Sequence, residues 1–151
     1  TPEYIVAMSG YGGSALAVKT GGSGDVTDTH RVWLHPKNPQ RIGSGVIVGE
    51  HLYMANGGPG HIQCIELKTG KDLWEKQPLG ANHWGSLVLA EGRIYATDQN
   101  GDTYVLKAEP KFEQIARNRI GEHVNASLAI SQGDIFLRTY SHLWCIGTDK
   151  K

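Results

Sequence analysis

Three stretches of this 151-residue chain superimpose on one another at a spacing of about forty residues. Ser44, Ser86 and Ser127 each open a run of alternating apolar residues, and Tyr53, Tyr95 and Phe136 each stand nine residues further on. A third run follows in each copy, Ile62–Ile65, Thr103–Leu106 and Leu143–Ile146. The steps are 42 and 41 residues for the first two marks and 41 and 40 for the third. Runs this short are strands, and a strand-built period of this size is the mark of β-propeller blades, each a four-stranded antiparallel meander. The expected fold is all-β: a propeller of about four four-stranded blades, the first and last incomplete.

The blades are placed at about 3–35, 43–77, 85–117 and 126–147 of one partial propeller domain spanning 1–151. The second is the clearest. Gly45–Val48 and His51–Met54 flank the tight turn Gly49-Glu50, and the loop Asn56-Gly57-Gly58-Pro59-Gly60 leads into His61–Leu67. Lys68-Thr69-Gly70-Lys71 then turns the chain into a fourth strand over Asp72–Lys76. The third copy gives Leu87–Leu89, Arg93–Thr97, Thr103–Lys107 and Phe112–Ala116. The fourth gives Leu128–Ile130, Asp134–Arg138 and His142–Ile146, and lacks a fourth strand. The first gives Tyr4–Met8, Ser14–Val18 and Arg31–Leu34, lacks an innermost strand, and has a last turn lengthened by Gly21–Asp28.

Three, four, four and three strands fall short of a closed propeller, which takes at least four blades and usually six to eight of this type. The chain is expected to be part of a larger ring, or a unit that a second copy closes as a homodimer. An open half-ring would leave apolar blade faces bare. The start Thr-Pro-Glu reads as a piece of something longer.

The formal charge is zero, with no basic stripe, which argues against nucleic acid as a partner. No apolar run approaches the ~18–20 residues of a membrane span. Cys64 and Cys145 hold the same repeat position two blades apart, beyond the ~7 Å Cα limit of a disulfide. Both are expected to be small buried hydrophobes.

The segment Ile65-Glu66-Leu67-Lys68-Thr69-Gly70-Lys71-Asp72-Leu73-Trp74 resembles the blade signature of the pyrroloquinoline-quinone-type propellers, the quinoprotein alcohol dehydrogenase-like repeat family. Glu66, Thr69, Gly70 and Trp74 occupy the signature places, and Trp33 stands 41 residues before Trp74. In the third copy Ile115 replaces the Trp and Glu109-Pro110 the Thr-Gly turn. The resemblance implies a periplasmic or otherwise extracytoplasmic protein and one of two roles. Some members are dehydrogenases that hold the quinone and a calcium ion with a vicinal Cys-Cys disulfide, a Trp floor and a Glu/Asn/Asp cage. Many are non-enzymatic scaffolds, including the propeller subunit of the outer-membrane-protein assembly machinery. No Cys-Cys pair is present here. The expected function is therefore a non-catalytic binding or scaffold module that presents a loop face to a protein, a peptide or a small ligand, without cofactor. The alternative is a C-terminal fragment of a quinone- and calcium-dependent dehydrogenase. A carbohydrate-binding role rests only on Trp84, Tyr140 and nearby amides.

In a propeller, the loops leading into first strands and those joining second to third strands gather on one face around the channel, where a rigid scaffold positions binding residues. They bring together Arg41, Asn56, His83, Trp84, Asp98, His123, Asn125, Tyr140 and His142, the candidate ligand-binding set. Arg41 suits an anion, since its planar fork matches carboxylate or phosphate. Asn56 also reads as a turn former, Trp84 as inter-blade packing. His83 and His123 are not equivalent in the repeat, and spacing fixes no third metal ligand. Asn125-Ala126-Ser127 fits a glycosylation sequon but runs into an inner strand, and Ser44 is a repeat mark rather than a nucleophile.

Overall fold

Alternating apolar residues and glycine-rich turns fold the described residues into fourteen strands in four antiparallel sheets. The computed structural model describes residues 1–11, 13–37, 42–56, 58–74 and 76–148. The first sheet has the order β1-β2-β3 (Tyr4–Met8, Ala15–Lys19, Arg31–His35), with a four-residue helix α1 (Thr27–His30) inside its long last turn. The second is β4-β5-β6-β7 (Val46–Val48, His51–Ala55, His61–Glu66, Gln77–Pro78). The third is β8 to β11 (Val88–Ala90, Arg93–Thr97, Asp102–Lys107, Gln114–Arg119), and the fourth β12 to β14 (Ala129–Ser131, Asp134–Arg138, Leu143–Ile146). The strand count of three, four, four and three is the expected one, and the sheets stack as blades of a partial propeller.

Period-two alternation gives each central sheet two apolar faces. Leu52, Met54 and Ile65 of the second sheet pack on Ala15, Ala17 and Trp33 of the first. Tyr53, Ala55, Ile62 and Cys64, on the opposite face, pack on Ile94, Ala96 and Leu106 of the third. Val124, Leu128 and Leu137 join the fourth sheet to Val88 and Tyr95 of the third.

The repeat serines knit the inner strands together. Ser44 N donates to Ser86 Oγ at 2.9 Å and Ser86 N to Ser127 Oγ at 2.8 Å, a ladder from blade to blade. This explains why a hydroxyl recurs there, and places Ser44 and the Ser127 of the sequon in architecture.

The Glu66-x-x-Thr69-Gly70 turn is an inter-blade lock. Thr69 Oγ1 donates to Glu66 Oε2 at 2.6 Å, and Gly70 takes φ +71°. A Cβ on Gly70 would stand 2.8 Å from Trp33, whose indole lies across the turn and donates from Nε1 to Leu67 O at 2.8 Å. Glycine is thus required twice, for its left-handed backbone and for the close approach of the indole.

Two expectations are corrected. The fourth strand of the second sheet is not Asp72–Lys76: among the described residues Asp72 makes an isolated bridge to Ile65, and the strand pairing lies at Gln77–Pro78, against Ile62 and His61. Trp74 turns onto the third sheet, edge-on to Phe112 at 5.5 Å. Cys64 is buried, but Cys145 is exposed. It pairs with Phe136 on the face of the fourth sheet turned away from the third, where no further sheet covers it among the described residues.

Candidate functional site

The second-to-third-strand loops are built by short polar side chains at one repeat position. Asn56 Oδ1 accepts Gly58 N at 3.3 Å, and its Nδ2 lies 3.1 Å from His61 Nδ1. Asp98 Oδ1 accepts Asn100 N and Asp102 N, each at 3.0 Å, while Oδ2 accepts Ala81 N at 2.9 Å. Thr139 Oγ1 accepts His142 N at 2.8 Å. Asn56 and Asp98 are therefore consumed in shaping their loops, as side-chain mimics of backbone turns. His83 points inward, 2% exposed, with Nδ1 3.1 Å from Thr97 O and Nε2 2.6 Å from Leu79 O. It fastens the third sheet to the segment leading into it. Trp84 is half-buried, its indole nitrogen enclosed without a hydrogen-bond partner among the described residues. Arg41 lies outside the described residues.

The remaining candidates do converge. Asn125 Nδ2 donates to Tyr140 Oη at 3.0 Å, and the His123 ring meets Tyr140 edge-on at 4.6 Å. Tyr140 is 67% exposed. His142 Nδ1 lies 2.9 Å from Glu122 Oε1, and Thr139 donates to Glu122 Oε2 at 2.5 Å. The Thr139 hydroxyl first, and His142 after it, hold the Glu122 carboxyl below its ordinary value.

Sequence reasoning passed over the residues that extend this group. Asn82 Nδ2 donates to Gln99 Oε1 at 3.2 Å, and Gln99 Nε2 to Asn125 Oδ1 at 2.7 Å. A relay thus runs Asn82–Gln99–Asn125–Tyr140 across the third and fourth blades. Backbone bonds reinforce it: Gln99 N donates to Asn82 O at 2.8 Å, Tyr140 N to His123 O at 3.0 Å. Asn82 and His123, like Gln99 and Tyr140, are 41 residues apart. That spacing is the signal that would have found them.

A second polar cluster lies at the outer edge of the third sheet. Asp102, 1% exposed, takes Arg119 side-on, Nε to Oδ1 at 2.8 Å and Nη2 to Oδ2 at 3.2 Å, and also receives Arg117. Arg117 lies over the Tyr104 ring at 5.3 Å. These anchors carry β11 to Arg119, past the expected end at Ala116. Arg119, with Arg117 after it, holds the Asp102 carboxyl below the ordinary 3.8. A carboxyl depressed in the folded state stabilises it fully above 3.8, and that contribution is lost as pH falls through the lower folded value. Asp102→Asn is expected to cost about 2 kcal/mol at pH 7 and to flatten the acid limb of stability in melts from pH 6 to 2. A limb as steep as that of the unaltered protein would show that this carboxyl does not govern it.

Among the described residues no group of three or more His, Cys, Asp or Glu side chains is placed to hold a metal ion. No described helix is long and apolar enough to cross a membrane.

Four stacked antiparallel sheets, a 41-residue period and the Thr-Gly turn under a neighbouring Trp define a PQQ-type repeat β-propeller. The chain belongs to the family of the outer membrane protein assembly factor BamB, which matches residues 58–150. The crystal structure of BamB from Moraxella catarrhalis superimposes with TM-score 0.67 at 15% identity, over 92% of this chain. The chain spans 38% of that BamB chain's length. The computationally designed Ika4 protein gives TM-score 0.64 at 13% identity, over 97% of this chain and 88% of that one. A europium-containing methanol dehydrogenase gives 0.53 at 17% identity, over 64% of this chain and 19% of that one. No curated protein sequence matches the chain.

Proposed function

We propose that this chain is a binding and scaffold module without catalytic chemistry, which takes a protein or peptide partner on its loop face in the periplasm. The observation that carries this is the Asn82–Gln99–Asn125–Tyr140 relay. It fixes amides and an exposed aromatic ring in advance across two blades, so little side-chain entropy is lost when a partner docks. Tyr140 has the character of an interface anchor, a flat apolar ring with a polar tip. The family's role in outer-membrane-protein assembly supports an extended, strand-forming polypeptide as partner and a place outside the cytoplasm.

The quinone-dependent alternative needs a calcium cage and a vicinal cysteine pair. The described residues offer no such donor cluster, and Cys64 and Cys145 lie on different sheets. Nothing in the described residues supports that group, and the module is proposed without a cofactor.

The isolated chain is proposed to close its ring with a second copy. By register Ile5, Ala7, Leu16, Val18 and Leu34 share the outer face of the first sheet, and Ile5 and Leu34 are exposed. The fourth sheet exposes Leu143 and Cys145 in the same way. Each end thus repeats the kind of apolar face that the internal blade contacts bury, and stacking one copy's last blade on the other's first covers both.

A labelled peptide with the alternating pattern of an outer-membrane β-strand, followed by fluorescence anisotropy, tests the face. The double variant Asn125→Ala/Tyr140→Ala is expected to bind at least about tenfold more weakly, the loss typical of an interface anchor, with an unchanged melting temperature. Equal affinity would overturn the loop-face reading. Light scattering on the same samples is expected to give twice the monomer mass, and a monomer overturns ring closure without touching the loop face.

A further inference from the structure

The third strands carry one position that differs sharply between copies. Gln63, Tyr104 and Trp144 are the second residues of Ile62–Ile65, Thr103–Leu106 and Leu143–Ile146. In the third sheet the Tyr104 ring fills the space toward the second, buried, 6.1 Å from the His83 ring, with its hydroxyl 3.5 Å from Asp98 Oδ2. Gln63 is shorter, and between the first and second sheets it leaves a cleft of about 250 Å³. That is room for about eight waters at ~30 Å³ each.

The lining selects what fits. Gln63 is 3% exposed, and its Nε2 donates to Asp72 Oδ1 at 3.1 Å. This bond fixes which end of the amide is which, and leaves Oε1 buried without a partner among the described residues. Buried carbonyl oxygens are almost always paired, so this acceptor calls for a donor from the cleft. Among the described residues, Lys37 and Lys76 stand in the same lining against one carboxylate, that of Asp72, which the Gln63 amide already engages. The excess charge of these described groups is positive and favours an anion. Ala15 and Met54 supply an apolar floor. On the remaining side the His61 ring, whose charged form is disfavoured by burial and then by Lys76, is tied up with Asn56.

We propose that this cleft binds a small hydroxylated carboxylate, a sugar acid or hydroxy acid, whose hydroxyl donates to Gln63 Oε1 and whose carboxylate faces Lys37 and Lys76. The site lies between two internal sheet faces and does not depend on the loop-face partner. Its floor receives the CH face of a sugar ring.

Calorimetric titration of the full chain at fixed ionic strength tests this, with glucuronate as the probe and glucose and acetate as controls. Glucuronate is expected to bind saturably with one site per chain, and each control at least tenfold more weakly, since one lacks the charge and the other the hydroxyls. Gln63→Tyr installs the side chain of the third sheet and is expected to abolish binding. Gln63→Met keeps the volume, removes the acceptor and is expected to weaken binding at least tenfold, which guards against a misfolded tyrosine variant. Lys76→Ala is expected to weaken it about fivefold, the factor that matches ~1 kcal/mol for a partly screened ion pair. No saturable heat with glucuronate, either control binding as tightly, or unchanged affinity in Gln63→Met would each overturn the proposal, the first by showing that the cleft holds water alone.

Discussion

Gly60→Val is expected to unfold the second and third blades together, at a cost of about 3 kcal/mol or more, since overpacking against fixed neighbours costs 1–3 kcal/mol and here the neighbour is backbone. A Cβ on Gly60 would overlap the carbonyl oxygen of Ala81 and stand 2.5 Å from that of Gly80. Neither carbonyl can retreat. Leu79 N donates to Gly60 O at 3.0 Å, His83 N to Asn56 O at 3.0 Å, and Ala81 N to Asp98 Oδ2 at 2.9 Å, so the 79–83 segment is pinned on both sides. A domain of this size has only about 5–15 kcal/mol in hand. Urea unfolding of the variant is expected at a clearly lower midpoint, and a midpoint within error of the unaltered protein would show that the two loops are not held together in this way.

The two equivalent tryptophans are expected to respond differently. Trp33→Ala should cost about 3–5 kcal/mol, the usual range for emptying a large aromatic site in a core. Trp33→Phe keeps most of the ring but leaves Leu67 O, inside the interface, without its donor, for about 1–2 kcal/mol. Trp74 holds the same repeat position one blade on, yet its Nε1 is buried without a partner among the described residues. Glu109-Pro110 has replaced the turn whose neighbouring carbonyl would have received it. Trp74→Phe then loses no hydrogen bond and is expected to cost less than about 1 kcal/mol. Denaturant midpoints for the two phenylalanine variants check the order, and Trp74→Phe falling below Trp33→Phe would refute the account of the lock.

Much of this architecture is legible in the chain because a repeat repeats its local physics. Ser86 and Ser127 recur because the inner strand before each borrows its hydroxyl. Thr69-Gly70 recurs in the family signature because a turn with φ +71° and no Cβ is what lets an indole cross it. Strand number and order follow from alternation and turn residues, which act over two to five positions. The candidate site is legible only in part. His123, Asn125, Tyr140 and His142 do share a surface, but His83 and Asp98, which look no different in sequence, are turned into the protein.

Period and alternation thus determined the fold class, the three-four-four-three strand count and the blade signature, since these depend on neighbours close in the chain. Tertiary structure decided what depends on the sheet next door. It set which of two equivalent cysteines is covered and where the second sheet's fourth strand pairs. It joined Asn82, Gln99, Asn125 and Tyr140 into one relay, and it opened a cleft where Gln63 stands in place of an aromatic ring. Burial and hydrogen-bond partnership are properties of the facing surface, and repeat spacing carries no record of that surface wherever the copies differ.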